Sequence, residues 1–426
     1  MQRIISVTVI LVIISSGLKA QDTTIAFPKG PVQTLKTAGY SSPEKTVVFQ
    51  NADTDIFPAM FICTVKGIPV TIDTPIHKRS FFPLPVLGYS QEKGLEVGAA
   101  MLYSFYTGKN SELRNSTINL IPSITTKNQY KIDLKTDIWT DGNNWHFKSN
   151  LRYHDFPIYF YGIGDTTHKS NGTLVDNIRY KVQLEAEHRI DGHFYAGLLL
   201  QYQKDDYRAR EIKGIYPGLP LTDKDGGYVT FIGATGIFDN RDNQNYTTRG
   251  TWMRLNIAYA PSFLSKQQLW KLDAQARHFI PLSRNSTLGL NGVFNSLQGK
   301  TLPFYLLPEM GNDLMMRGYY TGRYRDQNYL ALQAEYRYFL DPHIPINIWF
   351  VHMQPKFALA AFGGTGAVFN NHDIGLSHFK PDYGLGIRWF YDESARLTIR
   401  IDYGWGEKRA GEQRQSGLYL SLAEAF

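Results

Sequence analysis

The chain has 426 residues, with 45 Lys and Arg against 38 Asp and Glu and a single cysteine, Cys63. A formal charge of +7 with no dense basic stripe gives no case for nucleic acid, and one cysteine excludes a small disulfide-stapled scaffold. Tyr 27 and Phe 25 beside a mean hydropathy of −0.30 describe a chain polar on average yet loaded with aromatic side chains.

The chain opens MQRIISVTVILVIISSGLKA. Arg3, the apolar run from Ile4 to Ile14 and the small Ala20 read as a secretory signal over residues 1–20, too short to span a bilayer as a helix. Residues 21–78, rich in Pro, Thr and Lys with one apolar patch at 56–65, read as a periplasmic tail or plug. From residue 79 onward a different pattern takes over and persists to the end.

That pattern is alternation, the mark of a strand with two unlike faces. Tyr130, Ile132, Leu134 and Ile138 oppose Lys131, Asp133, Lys135 and Asp137. Ile178, Tyr180, Val182 and Leu184 oppose Arg179, Lys181, Gln183 and Glu185. Met253, Leu255 and Ile257 oppose Arg254 and Asn256, and late in the chain Ile399, Ile401 and Tyr403 oppose Thr398, Arg400 and Asp402. Sixteen such strands follow in order, at 80–89, 95–107, 112–125, 129–140, 144–155, 177–190, 192–203, 227–238, 250–259, 269–280, 285–296, 328–340, 354–369, 381–391, 396–406 and 415–426.

In a soluble sandwich the apolar face would be a core; in an outer-membrane barrel it meets lipid and the polar face lines a lumen. Strands of about 10 to 14 residues match a tilted membrane crossing better than a soluble sheet. Tight turns such as Asp191-Gly192 alternate with long polar loops, and the strand number is even. The expectation is an all-β protein, a transmembrane antiparallel β-barrel of about 16 strands over residues 79–426, in the cell outer membrane and in contact with its lipid. Along the last strand, Glu424 falls on the outward parity with Leu420, Leu422 and Phe426. Phe426 resembles the terminal aromatic signal that directs such barrels to insertion.

No G-x-S-x-G, H-E-x-x-H or Walker loop occurs, and the histidines never stand at i, i+4 with an acid. The expectation is no catalytic site, no metal and no cofactor. Asp223-Lys224-Asp225-Gly226 has the start of a calcium loop without its distal glutamate and reads as a turn.

The longest loop reads GNDLMMRGYYTGRYRD over 311–326. Its Met316-Arg317-Gly318-Tyr319 resembles the hydrophobic-R-G-aromatic motif of the BamA/TamA superfamily, the bacterial surface-antigen barrels that include assembly factors and secretion pores. Phe238-Asp239-Asn240-Arg241-Asp242 with Thr248-Arg249-Gly250, the strand carrying Glu335 and Arg337, Gly384-Leu385-Gly386-Ile387-Arg388-Trp389 and Leu397 to Tyr403 are similar to further family elements in the same order. The resemblance covers 80–426 and implies a loop folded back into the lumen, with Arg317 paired to an acid on the wall. Glu335 and Asp402 have the inward parity for that role. Two departures stand out. Gly364 replaces the acid of the family's F-x-D-x-G, which favours Glu335 as partner, and 21–78 has no room for periplasmic POTRA domains. The implied function is help in outer-membrane protein assembly or translocation, alone or as an accessory subunit with other outer-membrane or periplasmic proteins. A passive porin-like channel is the alternative.

Overall fold

The computed structural model describes residues 79–426 apart from 91–93, 109–112, 211–212, 341–345, 349–350, 354, 374, 394 and 423. The signal and tail expected over 1–78, Cys63 included, lie outside the described residues.

Sixteen long antiparallel strands follow one another: β1 (Ser80–Ser90), β2 (Gly94–Phe105), β3 (Ser116–Thr125), β4 (Tyr130–Trp139), β5 (Trp145–Asp155), β6 (Thr173–Asp191), β7 (Phe194–Ala209), β8 (Gly226–Asp239), β9 (Gly250–Ala260), β10 (Leu269–Pro281), β11 (Ser286–Gly299), β12 (Asn328–Leu340), β13 (Lys356–Phe369), β14 (Lys380–Asp392), β15 (Leu397–Trp405) and β16 (Ser416–Leu422). Each pairs with the next in sequence. A short piece, Ile158–Phe160, resumes the line of β5 against β6 after Pro157 interrupts it. This is a membrane β-barrel: nearest-neighbour pairing satisfies the polar backbone of β2 to β15 within the sheet, as hydrocarbon demands.

The alternation sorts the side chains as the two-faced pattern requires. Leu332 is 54% exposed and Leu385 59%, while Gln333, Glu335, Arg337 and Arg388 are buried. The apolar residues stand outward because the surrounding medium is lipid; the charges turn inward because the lumen is where partners can be found. Contacts between distant strands show how the sheet curls. Phe82 on β1 stacks on Tyr391 of β14 at 4.2 Å, and Leu102 on β2 packs with Leu397 on β15. Among the described residues no ladder joins β16 to β1.

With an even number of strands, the connections after odd-numbered strands share one side. The loops at 156–172, 210–225, 261–268, 300–327, 370–379 and 406–415 lie there. On the opposite side the 240–249 turn reaches over the mouth. Asn245 Nδ2 donates to the Ala395 carbonyl (2.8 Å) and Arg396 Nη1 to Asp242 (2.9 Å), while Arg114 pairs with Asp239.

One sequence expectation fails at the chain's end. The last ladder stops at Leu422, and Glu424 faces inward, where its carboxylate accepts from Arg388 Nε (3.0 Å) and from the Thr398 hydroxyl (2.7 Å). Phe426 is buried against Phe279 and beneath the Arg337 guanidinium instead of facing lipid. Outward parity holds only while the ladder continues; once it ends, buried arginines in need of a counter-charge decide where a carboxylate goes.

Candidate functional site: a loop tied into the lumen by a buried arginine

The loop between β11 and β12 returns into the barrel. A two-residue hairpin, Glu309–Met310 against Tyr324–Arg325, closes its stem, and Met310, Met315, Met316, Tyr319 and Tyr324 form a small apolar core with Tyr329, Ala331 and Val368 of the wall. Met316 takes a left-handed conformation (φ 54°), which a non-glycine residue avoids unless its surroundings impose it. Here they do, since Met316 is fully buried and the Tyr319 N–H donates to its carbonyl at 3.1 Å.

Arg317 is the centre of the tie. Its Nη2 donates to Glu335 on β12 at 2.5 Å, its Nη1 to Asp402 on β15 at 2.5 Å, and its Cζ lies 3.5 Å over the Phe362 ring of β13. The sequence offered both carboxylates and preferred Glu335; the structure brings both to the one guanidinium. A planar fork can do this where an ammonium cannot.

Three more arginines share those carboxylates. Arg388 on β14 donates to Asp402 (2.5 Å) and Glu335 (3.0 Å), Arg337 donates to Glu335 (2.8 Å), and Arg400 donates to Asp402 (2.6 Å) and to the loop's Asp313 carbonyl (2.6 Å). All four guanidiniums and both acids are essentially inaccessible to solvent. Bare burial of such charges costs several kcal/mol per ion, so the cluster holds only through this shared geometry.

The acid missing at Gly364 is made good one strand over. Asp382 faces Gly364 across the β13–β14 ladder, and its carboxylate accepts the backbone N–H groups of Arg317 (3.2 Å) and Gly318 (2.6 Å) and the Gln333 amide (3.0 Å). Nothing local in the sequence said that Asp382 would cap the motif's backbone.

Glycines let the motif lie flat on the last two strands. A Cβ on Gly318 would stand 2.3 Å from the Trp405 backbone, one on Gly404 2.7 Å from that of Arg317, and one on Gly406 2.7 Å from the Tyr319 ring. Gly417 in β16, which reads from sequence as a weak spot in a strand, likewise sits under the Arg317 carbonyl. Tyr319 completes the seating: its hydroxyl donates to the Pro381 carbonyl (2.7 Å) and accepts from the Glu407 N–H (2.9 Å). Higher up, Arg323 donates to Thr167 in the 156–172 loop (2.9 Å), and Arg325 pairs with Glu309 (3.0 Å). The remaining expected site residue, Phe426, lies beneath this cluster, where its main-chain oxygen accepts from Arg337 (2.6 Å).

A sixteen-stranded barrel with a long loop drawn into its lumen and pinned by one arginine defines a class of outer-membrane protein. Residues 107–426 match the Omp85 superfamily domain, and the chain belongs to that superfamily. Solved structures agree in fold. The chain is similar to BamA from Haemophilus ducreyi lacking POTRA domains 1–3, at 13% identity and TM-score 0.50, over 82% of this chain and 70% of that one. It is similar to CdiB from Escherichia coli at 11% identity and TM-score 0.51, over 81% of this chain and 62% of that one. No curated protein matches the sequence.

Proposed function

We propose that this barrel assists the assembly or translocation of outer-membrane proteins, by itself or as an accessory subunit alongside other outer-membrane or periplasmic proteins. The observation that carries the reading is the tie of the 300–327 loop to β12, β14 and β15 through Arg317, Asp382, Glu335 and Asp402. A conducting pore gains nothing from a buried charge cluster across its own bore, whereas a barrel that handles another chain needs its closing strands held in a defined relation to a fixed element. The motif rests on β15 and β16, at the end of the sheet where a closed barrel would have its seam with β1. In β1, Pro83 and Pro85 lack backbone donors, which weakens pairing along that edge.

Photo-crosslinkers placed along β1 and β16, with β8 as the control wall, test this in the native membrane. Capture of outer-membrane or periplasmic proteins at the seam and not at β8 is the expected result. No capture at the seam, together with wide, steady conductance in planar bilayers that persists after the 300–327 loop is removed, would instead make the chain a passive channel.

A further inference from the structure

The lumen's other wall, formed by β3 to β10, carries cations that the Arg317 cluster does not use. Two adjoining chambers of about 360 and 430 Å³ lie against it, within the range of small-molecule sites. Lys148 lines both, Lys135 the first and Arg277 the second.

The carboxylates around these chambers already have cation partners. Asp137 pairs with His146 (2.9 Å), Glu187 with Arg254 (2.6 Å) and Asp239 with Arg241 (2.9 Å), and Glu185 is also held by Arg254. Lys135, Lys148 and Arg277 have no carboxylate within ion-pair distance among the described residues. Asp137 stands opposite Lys148 in the β4–β5 ladder, yet its carboxylate is turned to His146. Arg277 lies 4.5 Å over the Trp252 ring, and the Gln275 side-chain amide is 3.1 Å from its guanidinium.

We infer that this half of the lumen is a binding site for a compact, water-soluble anion carrying more than one negative charge, such as a phosphorylated small molecule. Lys135 and Lys148 border the first chamber and Lys148 and Arg277 the second, none in a direct ion pair among the described residues, between low-dielectric walls that focus positive potential there. Lysine suits a phosphate as a point charge, and a guanidinium suits it as a fork. The strands separate the chambers from lipid, so the ligand is a solute and not a membrane headgroup. This inference does not depend on the proposed role in assembly.

Pyrophosphate titrated calorimetrically into the full chain in non-ionic detergent tests it. The wild type should show one saturable site that weakens as sodium chloride is raised. Lys148→Gln and Arg277→Gln should each weaken it by about tenfold, the scale of one lost charge contact, while Lys148→Arg retains it and Lys408→Gln leaves it unchanged. Heat-modifiability on gels identifies which variants are folded. Should a variant fail to fold, quenching in the wild type decides. Trp139 and Trp252 line the second chamber, so iodide should quench more strongly than caesium, each normalised to free tryptophan amide, and Trp252→Phe should shrink the difference. Absence of saturable binding, binding equal in wild type and variants, or equal normalised quenching by the two ions would mean that these are merely solvated cations, and would overturn the assignment.

Discussion

The two halves of the lumen come from the same alternating code and end as opposites. Where the loop lands on β12 to β15, its Arg317 and the wall's Arg337, Arg388 and Arg400 are dry and locked to Glu335, Asp402 and Glu424. On β4, β5 and β10, Lys135, Lys148 and Arg277 border open chambers, with no carboxylate within ion-pair distance among the described residues. The difference lies in what is laid against the wall. The returning loop excludes water from the first half, so each charge there must be neutralised by geometry. The second half stays wet, and solvent stabilises its cations individually. Strand parity fixes which residues face the lumen; it does not fix whether they face water.

The sharpest way to break this comparison is to remove a shared acid. Four buried guanidiniums are balanced by Glu335, Asp402, Glu424 and the half-exposed Asp313. Glu335→Gln should therefore destabilise the barrel by about 3–5 kcal/mol, the cost of leaving buried charge uncompensated. Arg400→Gln should cost less, because its partner Asp313 is half-exposed and can turn to solvent, and Asp402 keeps Arg317 and Arg388. Urea midpoints for loss of heat-modifiability measure both. Equal losses, or a smaller loss for Glu335→Gln, would show that water reaches the cluster and that the two halves are not different in kind.

Next in size is the loop itself. Arg317→Ala should leave insertion intact but expose residues 300–327 to protease, and Arg317→Lys should not restore protection, because one ammonium cannot bridge Glu335 and Asp402 as the fork does. Combining Arg317→Ala with Glu335→Gln should add little to the worse single variant, since both break one network. Fully additive losses would place the loop's anchorage elsewhere, in its Met and Tyr core or the Asp382 cap.

Much of this was legible in the sequence, for a physical reason. The membrane imposes period-two alternation on every strand, so the number of strands, their order and the inward parity of Glu335, Arg388, Arg400 and Asp402 can be read directly. Glu424 could not be placed, because parity was extended past Leu422, where the ladder has ended and electrostatics take over. Asp382 and the glycines at 404, 406 and 417 become meaningful only when the loop lands on them, a contact between segments some 65 to 100 residues apart that no local pattern encodes. The 240–249 turn was likewise readable as a motif with Asp239, Arg241 and Asp242, but not as a brace reaching Ala395 and Arg396.

The smallest expected effect sits at the rim, where the dry half ends. His378 in the 370–379 loop bridges Asp165 (2.9 Å) in the 156–172 loop and Asp373 (3.1 Å). The hydrogen bond to Asp165 raises its pKa above the ordinary value, desolvation opposes it, and the hydrogen bond to Asp373 adds to the rise. A raised histidine pKa means that the bridge stabilises fully below the unfolded value of about 6.5 and is lost as pH rises through the folded value. Asp326 acts in the same direction. Burial chiefly, with Asp165 and Asp373 adding to it, holds its pKa up, so ionisation at higher pH adds repulsion next to the same carboxylates. Lys380, 3.9 Å from Asp165, keeps part of the attraction at all these pH values, and Arg323 still fastens Thr167. The net change should be no more than about 1 kcal/mol, as for other solvent-screened pairs. Limited proteolysis within 156–172 and 370–379 should therefore quicken modestly from about pH 6 to 8, with the 300–327 loop unaffected, and His378→Gln should flatten most of that dependence. A pH response that persists undiminished in His378→Gln, or that extends into 300–327, would mean that the rim and the buried cluster open together and that the boundary between wet and dry lies deeper than these contacts place it.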